Sequence, residues 1–363
     1  MRQLIPRIIW TVFWCLIFLK PALAADPPGS PEAARVTVAA VGDIMLGSDF
    51  PTPELPPEDG RALFDPVRGL LQRADVRFGN LEGSLCDGGL CAKNTESSNV
   101  YAFRTPTRFA QTLKEAHFNV LSLANNHSRD FGYTGQRATR QALKEAGIKF
   151  SGRKGEVAEF NIRGAKVGLI DVSFGPPPRS LNHLEKVWRE IGTLAPKYDI
   201  LLVSVHGGRE GSSATRTLNE TEYFLGENRG NLVRFARTAV DRGADLVLGH
   251  GPHVPRALEV YKGRLIAYSL GNFCTYKGMN LSGALGYAPL LWTELGPEGE
   301  FITGRIYSFI QYRPGGPEKD AQQQALKLMR TLSLEDFPAT SPLITASGEI
   351  RPLPPKAQGD GSK

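Results

Sequence analysis

The segment Val36-Thr37-Val38-Ala39-Ala40-Val41-Gly42-Asp43 sets the pattern of this chain, because a short apolar run leads directly into a carboxylate. The length of the run and its β-branched residues predict a buried β-strand. In open α/β sheets, ligands bind at the carboxyl ends of the strands. The segment therefore predicts both a buried strand and a position for a functional group.

The same pattern recurs along the 363 residues, where short apolar runs alternate with helical patterns. Further strands are predicted at Val76–Phe78, Val120–Leu123, Val167–Ile170, Ile200–Val205 and Asp245–Leu248. Apolar residues at three- and four-residue spacing predict helices at Pro66–Ala74, Thr107–Ala116, Gly135–Ala146 and Asn231–Arg242. Stacked βα units of this kind indicate an α/β fold.

Polar side chains follow these strands and can converge at one edge of a sheet. They are Asp43, then Asn80 and Glu82, then Asn125, Asn126 and His127, then His206, and finally His250 and His253. Carboxylate, amide oxygen and imidazole are ligands that suit zinc, manganese or iron, and no thiolate joins the set. A lone strand-end histidine is more often structural, but the joint pattern favours a metal site.

Several of these residues stand in blocks that resemble the CapA family of capsule and poly-γ-glutamate biosynthesis proteins. That family belongs to the calcineurin-like metallophosphoesterase superfamily. The blocks occur in order between residues 36 and 312: Gly42-Asp43-Ile44-Met45, Asn80-Leu81-Glu82, Ala124-Asn125-Asn126-His127, Val205-His206-Gly207-Gly208, Gly249-His250-Gly251-Pro252-His253-Val254 and Ile266-Ala267-Tyr268-Ser269-Leu270-Gly271-Asn272-Phe273. The resemblance implies a four-layered metallophosphatase-like sandwich, two β-sheets flanked by helices, with two divalent metal ions (Mn, Zn or Fe) at the strand ends.

The resemblance also implies roles for individual residues. Its metal ligands correspond to Asp43, Asn126, His206, His250 and His253, and its general acid corresponds to His127. Three departures weaken the match to a phosphatase. Met45 stands in place of a metal-binding histidine, Asn80 in place of a bridging aspartate, and His-x-x-His in place of His-x-His. We expect Asn80 to remain in the ligand set, with Glu82 supplying the missing charge.

Two functions remain open from the sequence. One is an exported metal-dependent hydrolase that acts on a phosphoester or on an amide of an anionic polymer; the other is a polymer-binding or assembly protein of capsule synthesis, working with a membrane polymer synthase. We expect Asn125, Arg209 and Glu210 to contact the substrate. Arg137, Arg140 and Lys144 share one helical face, which suits either a solvated surface or contact with a polyanion.

The ends of the chain predict its organisation and location. Arg2 and Arg7, a 12-residue apolar run and Ala22-Leu23-Ala24 predict a signal peptide over residues 1–24, and hence export to the periplasm or cell surface. A flexible spacer (25–35), the CapA-like domain (36–313), a C-terminal helical extension (314–351) and a loose tail (352–363) should follow. Loss of Arg2, Arg7 and Lys20 lowers the formal charge from +6 to +3, which is too mild to indicate nucleic-acid binding.

Two cysteines bracket a short turn in what should be an oxidising compartment. Cys86 and Cys91 enclose Asp87-Gly88-Gly89-Leu90, a loop short enough for a local disulfide. The alternative is a pair of free thiols. We expect the disulfide.

Overall fold

Two β-sheets pack face to face, and helices cover the outer face of each. The computed structural model describes residues 35–95, 100–175 and 179–354. The larger sheet has ten strands and the second has six, and two short two-stranded sheets lie apart from them. Among the described residues, no helix combines the length and the apolar content needed to cross a bilayer.

Six of the twenty strands in the described residues follow the apolar runs predicted from the sequence. The twenty strands are β1 (Val36–Met45), β2 (Val76–Leu81), β3 (Ser84–Leu85), β4 (Arg104–Thr105), β5 (Val120–Ser122), β6 (Lys149–Ser151), β7 (Ala158–Ile162), β8 (Ala165–Ser173), β9 (Ile200–His206), β10 (Glu222–Phe224), β11 (Glu227–Gly230), β12 (Leu246–His250), β13 (Leu258–Tyr261), β14 (Arg264–Ala267), β15 (Asn272–Thr275), β16 (Tyr287–Leu295), β17 (Phe301–Gln311), β18 (Pro317–Lys319), β19 (Leu343–Ile344) and β20 (Glu349–Arg351).

Six α-helices connect or flank these strands in the described residues. They are α1 (Asp65–Leu71), α2 (Phe109–Glu115), α3 (Gly132–Glu145), α4 (Leu184–Leu194), α5 (Leu232–Asp241) and α6 (Gln324–Asp336). Four of them coincide with the predicted helices. The side chain of Asn231 begins α5 by accepting a hydrogen bond from the Arg234 N–H, which satisfies one of the free donors at the helix start.

Three apolar layers hold the sandwich together and confirm the predicted four-layered architecture. The middle layer joins the inner faces of the two sheets and contains Phe78 of one sheet and Leu202 of the other. A second layer packs the larger sheet against α1, α2 and α3. The third packs the six-stranded sheet against α4 and α5 through residues such as Trp188 and Phe235. Burial of apolar side chains in these layers is the main source of stability.

The strand order explains why the strand ends meet. In the larger sheet, β1, β2, β5 and β6 run parallel, and in the second sheet β8, β9, β12 and β14 do the same. Parallel strands present all of their carboxyl ends at one edge. Both sheets bring these ends to the same side of the sandwich, as the contacts described below show.

The segment predicted as a helical extension, residues 314–351, contains α6 together with β18, β19 and β20, and these strands join the ten-stranded sheet. Three predictions fall partly or wholly outside the described residues. They are the signal peptide over residues 1–24, the spacer over residues 25–34, and residues 355–363 of the tail.

The predicted disulfide is not formed in this structure, in which Cys86 and Cys91 are both free thiols. Cys86 is buried beside Phe131, and this burial raises the pKa of its thiol. Cys91 Sγ instead lies 3.4 Å from the carbonyl oxygen of Lys93, to which it can donate. Both cysteines pack in the same small apolar cluster.

Candidate metal centre

Strand register places four of the predicted site residues side by side in two pairs. Asp43 on β1 is opposite Asn80 on β2, and His206 on β9 is opposite His250 on β12. The two pairs meet across the sandwich, since His250 Nδ1 lies 3.5 Å from Asp43 Oδ1. The convergence expected from the strand ends is therefore present in the structure.

Two glycines allow this close approach. A Cβ atom on Gly42 would lie 1.9 Å from the carbonyl oxygen of Gly271, and one on Gly249 would lie 2.1 Å from that of Tyr268. No side chain fits at such distances, so both positions require glycine. Each glycine immediately precedes a site residue, which gives a steric reason for the Gly-Asp and Gly-His pairs in the sequence.

Asp43, Glu82 and His253 form the centre of the site. One donor atom from each residue lies within 4.8 Å of the other two. His253 Nδ1 is 3.0 Å from Asp43 Oδ2, and His253 Nε2 is 3.7 Å from Glu82 Oε1. His253 also has a backbone φ of 61°, which is the left-handed region that only a few residue types favour. The loop therefore holds this imidazole between two carboxylates.

Burial and neighbouring charges shift the pKa values of all three groups in the centre. Glu82 is fully buried, and burial raises its pKa well above the usual value. Burial would also raise the pKa of Asp43, but the imidazoles of His250 and His253 hold it far below its usual range. For His253, burial favours the neutral form, yet Glu82 and Asp43 raise its pKa to about 10.

Several buried polar atoms here have no hydrogen-bond partner. They are both carboxylate oxygens of Glu82, Nε2 of His206, and both ring nitrogens of His250. Such groups are rare in folded proteins, because an unpaired buried polar group costs free energy. Oxygen and imidazole nitrogen donors that converge in this way fit a divalent metal ion. Burial lowers the pKa of His206 well below its usual value, which keeps that ring neutral and able to coordinate.

Asn80 lies within the cluster but uses its amide for hydrogen bonding. Its Nδ2 donates to Asp43 Oδ1 at 2.8 Å and lies 3.3 Å from His206 Nδ1. Its Oδ1 accepts from Asn125 Nδ2 at 3.1 Å. Met45 takes no part in the centre, since its Sδ accepts from the Gly47 N–H at 3.3 Å. The two departures from the phosphatase pattern thus have defined structural roles.

The two neighbouring asparagines have different surroundings. Asn125 reaches the cluster through Asn80 and also donates to the carbonyl oxygen of Leu81 at 2.8 Å. Asn126 lines a separate cavity of about 130 Å³ that Asp171 and Arg179 also line, and its Oδ1 has no partner. The structure therefore joins Asn125, rather than Asn126, to the hydrogen bonds around Asp43.

His127 lines a large cleft, and Asp130 and Lys93 contact its ring. Its Nδ1 lies 2.8 Å from Asp130 Oδ2, and the buried Asp130 also pairs with Lys93 at 2.7 Å. The Lys93 Nζ is 3.2 Å from the same ring nitrogen. Burial lowers the pKa of His127, although Asp130 opposes this effect. The sequence analysis assigned no role to Asp130, although its position three residues after His127 indicated a possible contact. No feature of the sequence indicated that Lys93 would lie here.

The cleft has a volume of about 1090 Å³. His127, His253 and Glu210 all line it, together with four aromatic residues and two cations: Phe50, Tyr101, Phe103, Phe224, Lys277 and Arg313. Asn272, from the last of the family blocks, also faces the cleft and places its Oδ1 3.0 Å from His253 Nδ1.

The loop after β9 brings one of the two residues predicted there to contact the substrate, Glu210, to the cleft. Glu210 Oε2 lies 3.8 Å from His253 Nε2, and its other oxygen pairs with the buried Arg229. Arg209 is exposed, and its backbone N–H donates to Glu222 at 3.0 Å. The fully buried Arg256 binds both oxygens of Glu222, at 2.8 and 2.7 Å, and so fixes this loop. No feature of the sequence distinguished Arg256 from an exposed arginine.

This chain is similar to known proteins of capsule synthesis. Residues 37–277 match the family described as bacterial capsule synthesis protein PGA_cap. The capsule biosynthesis protein CapA of Bacillus anthracis is 29% identical over 268 residues, which cover 70% of this chain and 63% of that protein. The PGA biosynthesis protein CapA of Bacillus subtilis is 28% identical over 261 residues, 67% of this chain and 64% of that protein. The match thus spans less than two thirds of either relative.

Two solved structures are similar to this chain at low sequence identity. A 5'-nucleotidase precursor from Thermus thermophilus is similar at a TM-score of 0.40 and 14% identity, over 81% of this chain and 58% of that one. The NAD nucleotidase of Haemophilus influenzae gives a TM-score of 0.40 and 10% identity, over 82% and 56% of the two chains. The match over residues 37–277, which is more than half of the sequence, shows that this chain belongs to the bacterial capsule synthesis protein (PGA_cap) family.

Proposed function

We propose that this protein is an exported, metal-dependent hydrolase of capsule or poly-γ-glutamate metabolism, acting on a phosphoester or on an amide of an anionic polymer. The observation that carries the proposal is the centre formed by Asp43, Glu82 and His253. Both carboxylate oxygens of Glu82 lack hydrogen-bond partners, one donor atom of each residue lies within reach of the other two, and His253 lines the same cleft as His127. A site that served only for polymer binding would have no use for such a set of uncompensated ligands.

The donor set suits a divalent ion, Mn, Zn or Fe, held by Asp43, Glu82 and His253. His206 and His250, whose unpartnered nitrogens face the same cluster, are the ligands we assign to a second ion. When bound, such ions lower the pKa of coordinated water and stabilise developing negative charge. Asn80 hydrogen-bonds to Asp43 and so orients this carboxylate toward the centre.

His127 is the residue that we assign to proton transfer. Asp130 and Lys93 both contact Nδ1 of His127, at 2.8 and 3.2 Å, which leaves Nε2 as the nitrogen that we assign to a substrate in the cleft. A positioned imidazole of this kind contributes a factor of roughly 10² to 10⁴ to turnover. Lys93 neutralises Asp130 from its other side and therefore helps to hold the ring in place.

The cleft suits an extended substrate better than a compact one. Its aromatic residues and its two cations, Lys277 and Arg313, provide apolar and anion-binding surfaces next to the proposed catalytic residues. Glu210 reaches the edge of the centre and is the substrate contact we retain from the loop after β9. We infer that the protein acts in the periplasm or at the cell surface, beside a membrane polymer synthase.

One observation favours the alternative, a non-catalytic polymer-binding or assembly protein. Asn80 occupies the position of a bridging carboxylate, and its amide nitrogen faces Asp43. A neutral amide offsets the charge of two cations less well than a carboxylate does. In this case the cleft would hold the polymer without cleaving it.

Metal analysis and turnover measured on one preparation separate the two functions. The chain would be stripped with EDTA, reloaded with Mn²⁺, Zn²⁺ or Fe²⁺, and assayed with p-nitrophenyl phosphate, bis-p-nitrophenyl phosphate and poly-γ-glutamate. Two bound ions and metal-dependent cleavage are expected. His183→Ala, outside the cleft in the 3-10 turn Leu181–His183, serves as the histidine control. Tight polymer binding without metal or cleavage would favour the assembly protein.

A further inference from the structure

A basic groove runs along α3, outside the cleft. It has a volume of about 370 Å³, and its lining includes Arg137, Arg140, Lys144 and Arg153, with Tyr133 and Phe150. No aspartate or glutamate is among its lining residues in the described part of the chain. The groove therefore presents a concentrated positive charge.

Most of this charge is not compensated by the protein. Arg140 pairs with Glu156 at 3.3 Å and lies over the ring of Phe150. Arg137, Lys144 and Arg153 are exposed, and within residues 35–95, 100–175 and 179–354 none of these three side chains forms an ion pair. Cations without partners that surround a concave surface attract an anion, with an affinity that depends on salt.

The groove is elongated and begins beside the loop that carries His127. Tyr133, Arg137, Gln141 and Lys144 are spaced by four, four and three residues, so they share one face of α3. This face extends for about 16 Å at the rise of an α-helix. Arg129, which lines the cavity with Asn125 and Asn126, lies 5.4 Å from the ring of Tyr133. The groove thus leads away from the candidate site.

We propose that this groove is a second binding surface for an anionic polymer, and that the polymer is a polycarboxylate. The length of the groove suits a chain of repeated anionic groups better than a single ion, and the planar guanidinium groups of Arg137 and Arg153 match carboxylates. Tyr133 is the one exposed ring on this face, whereas proteins that bind single-stranded nucleic acid stack successive bases on several aromatic side chains. Only the class of polymer rests on the proposed function; the groove itself does not.

The test compares two triple variants that lose the same charge. Arg137→Gln/Lys144→Gln/Arg153→Gln removes the groove cations, and Lys197→Gln/Lys319→Gln/Lys327→Gln removes three exposed lysines elsewhere. Binding of fluorescent poly-L-glutamate is measured by anisotropy at several salt concentrations, in EDTA, after circular dichroism has shown that both variants are folded. We expect the groove variant to bind at least about tenfold more weakly, with a shallower dependence on salt, and the control to change by less than about twofold.

Three outcomes would overturn the proposal. They are equal losses in both variants, no loss in the groove variant, and tighter binding of single-stranded DNA than of poly-L-glutamate through the same residues. Because EDTA removes metal from the assay, this experiment does not depend on turnover. A wild-type protein that binds the polymer through the groove but never cleaves any substrate would contradict the proposed hydrolase and leave the groove assignment standing.

Discussion

Glu259 on β13 and the pair Asp43 and Glu82 at the strand ends are all fully buried carboxylates, yet their surroundings differ. Glu259 accepts hydrogen bonds from Arg237 at 2.7 Å, from the Tyr268 hydroxyl at 2.6 Å and from Thr340 at 2.7 Å. Both oxygens of Glu82 lack any hydrogen-bond partner. Burial alone therefore does not distinguish a structural acid from one that awaits a ligand.

The difference lies in what compensates the charge. Glu259 joins β13 to α5 and to the residues around Thr340, and Arg237 supplies a full opposite charge. At the strand ends, the imidazoles that approach Asp43 and Glu82 include only one, His253, with a strongly raised pKa. A buried acid without a hydrogen-bond partner is costly, and Glu82 is such an acid at the place where a cation would complete the site.

The largest effect is expected from removing a carboxylate of the proposed metal centre. Asp43→Ala deletes both a ligand and a charge that offsets a divalent ion, whereas His206→Ala deletes one neutral ligand. Changes outside the ligand set already cost metal affinity by about 10- to 100-fold, so Asp43→Ala should exceed that range and abolish turnover. Metal per chain, measured by mass spectrometry after dialysis, should fall more for Asp43→Ala than for His206→Ala. Unchanged metal content in both variants would contradict the assignment.

A smaller loss is expected when His127 is replaced, because this side chain is assigned to proton transfer and not to metal binding. His127→Ala should reduce turnover by roughly 10² to 10⁴, while metal content stays close to that of the wild type. The same preparation serves for both measurements. Loss of as much metal as in Asp43→Ala would place His127 among the ligands and show that its role is misassigned.

The positions of the strand ends could be predicted from the sequence, whereas the hydrogen-bond and ion-pair partners of each buried side chain could not. Apolar runs followed by Asp43, His206 and His250 gave the sheets and the edge where these residues meet. Glu259 also lies in a strand, and nothing in the sequence marks Arg237 as its partner, because pairing between distant elements depends on tertiary packing.

Residues that act through neighbours were the least predictable. Asn125 and Asn126 are adjacent and identical in type, and only the turn of the loop decides that Asn125 reaches Asn80. Lys93 and Arg256 come from loops whose path the sequence does not give. The Cys86 to Cys91 spacing allowed a disulfide, and in this structure both side chains are free thiols.

Stability measured without metal tests the comparison between the two kinds of buried acid. Glu259→Gln leaves Arg237 without its charge partner and should destabilise the fold by about 3 kcal/mol, at the lower end for a broken buried pair because Arg237 is partly exposed. Glu82→Gln removes an uncompensated acid and should cost less than about 0.5 kcal/mol. Urea unfolding in EDTA gives both values.

Added Mn²⁺ should raise the free energy of unfolding of the wild type and of Glu259→Gln, because a ligand that binds only the folded state raises stability. It should have little effect on Glu82→Gln. Equal destabilisation of both variants in EDTA would show that Glu82 has structural partners of the same quality as those of Glu259, and the contrast between the two sites would disappear.

The last prediction is a dependence of metal affinity on pH. In the metal-free protein the acids around His253 raise its pKa to about 10, so this ring carries a proton at neutral pH. Coordination needs the neutral imidazole, and binding must therefore release that proton. The apparent affinity should rise by about tenfold per pH unit for each proton released between pH 6 and 8, and it should level off above the pKa of His253.

Titration calorimetry with Mn²⁺ in two buffers of different ionisation enthalpy counts the released protons directly, because the buffer takes them up and adds its own heat. At least one proton per chain is expected, and Glu82, whose pKa burial also raises, adds to the number if it ionises on binding. His183→Ala, which lies outside the centre, should release the same number as the wild type. Identical heats in both buffers, with an affinity that does not change from pH 6 to 8, would mean that His253 is already neutral, and the raised pKa inferred for this ring would be wrong.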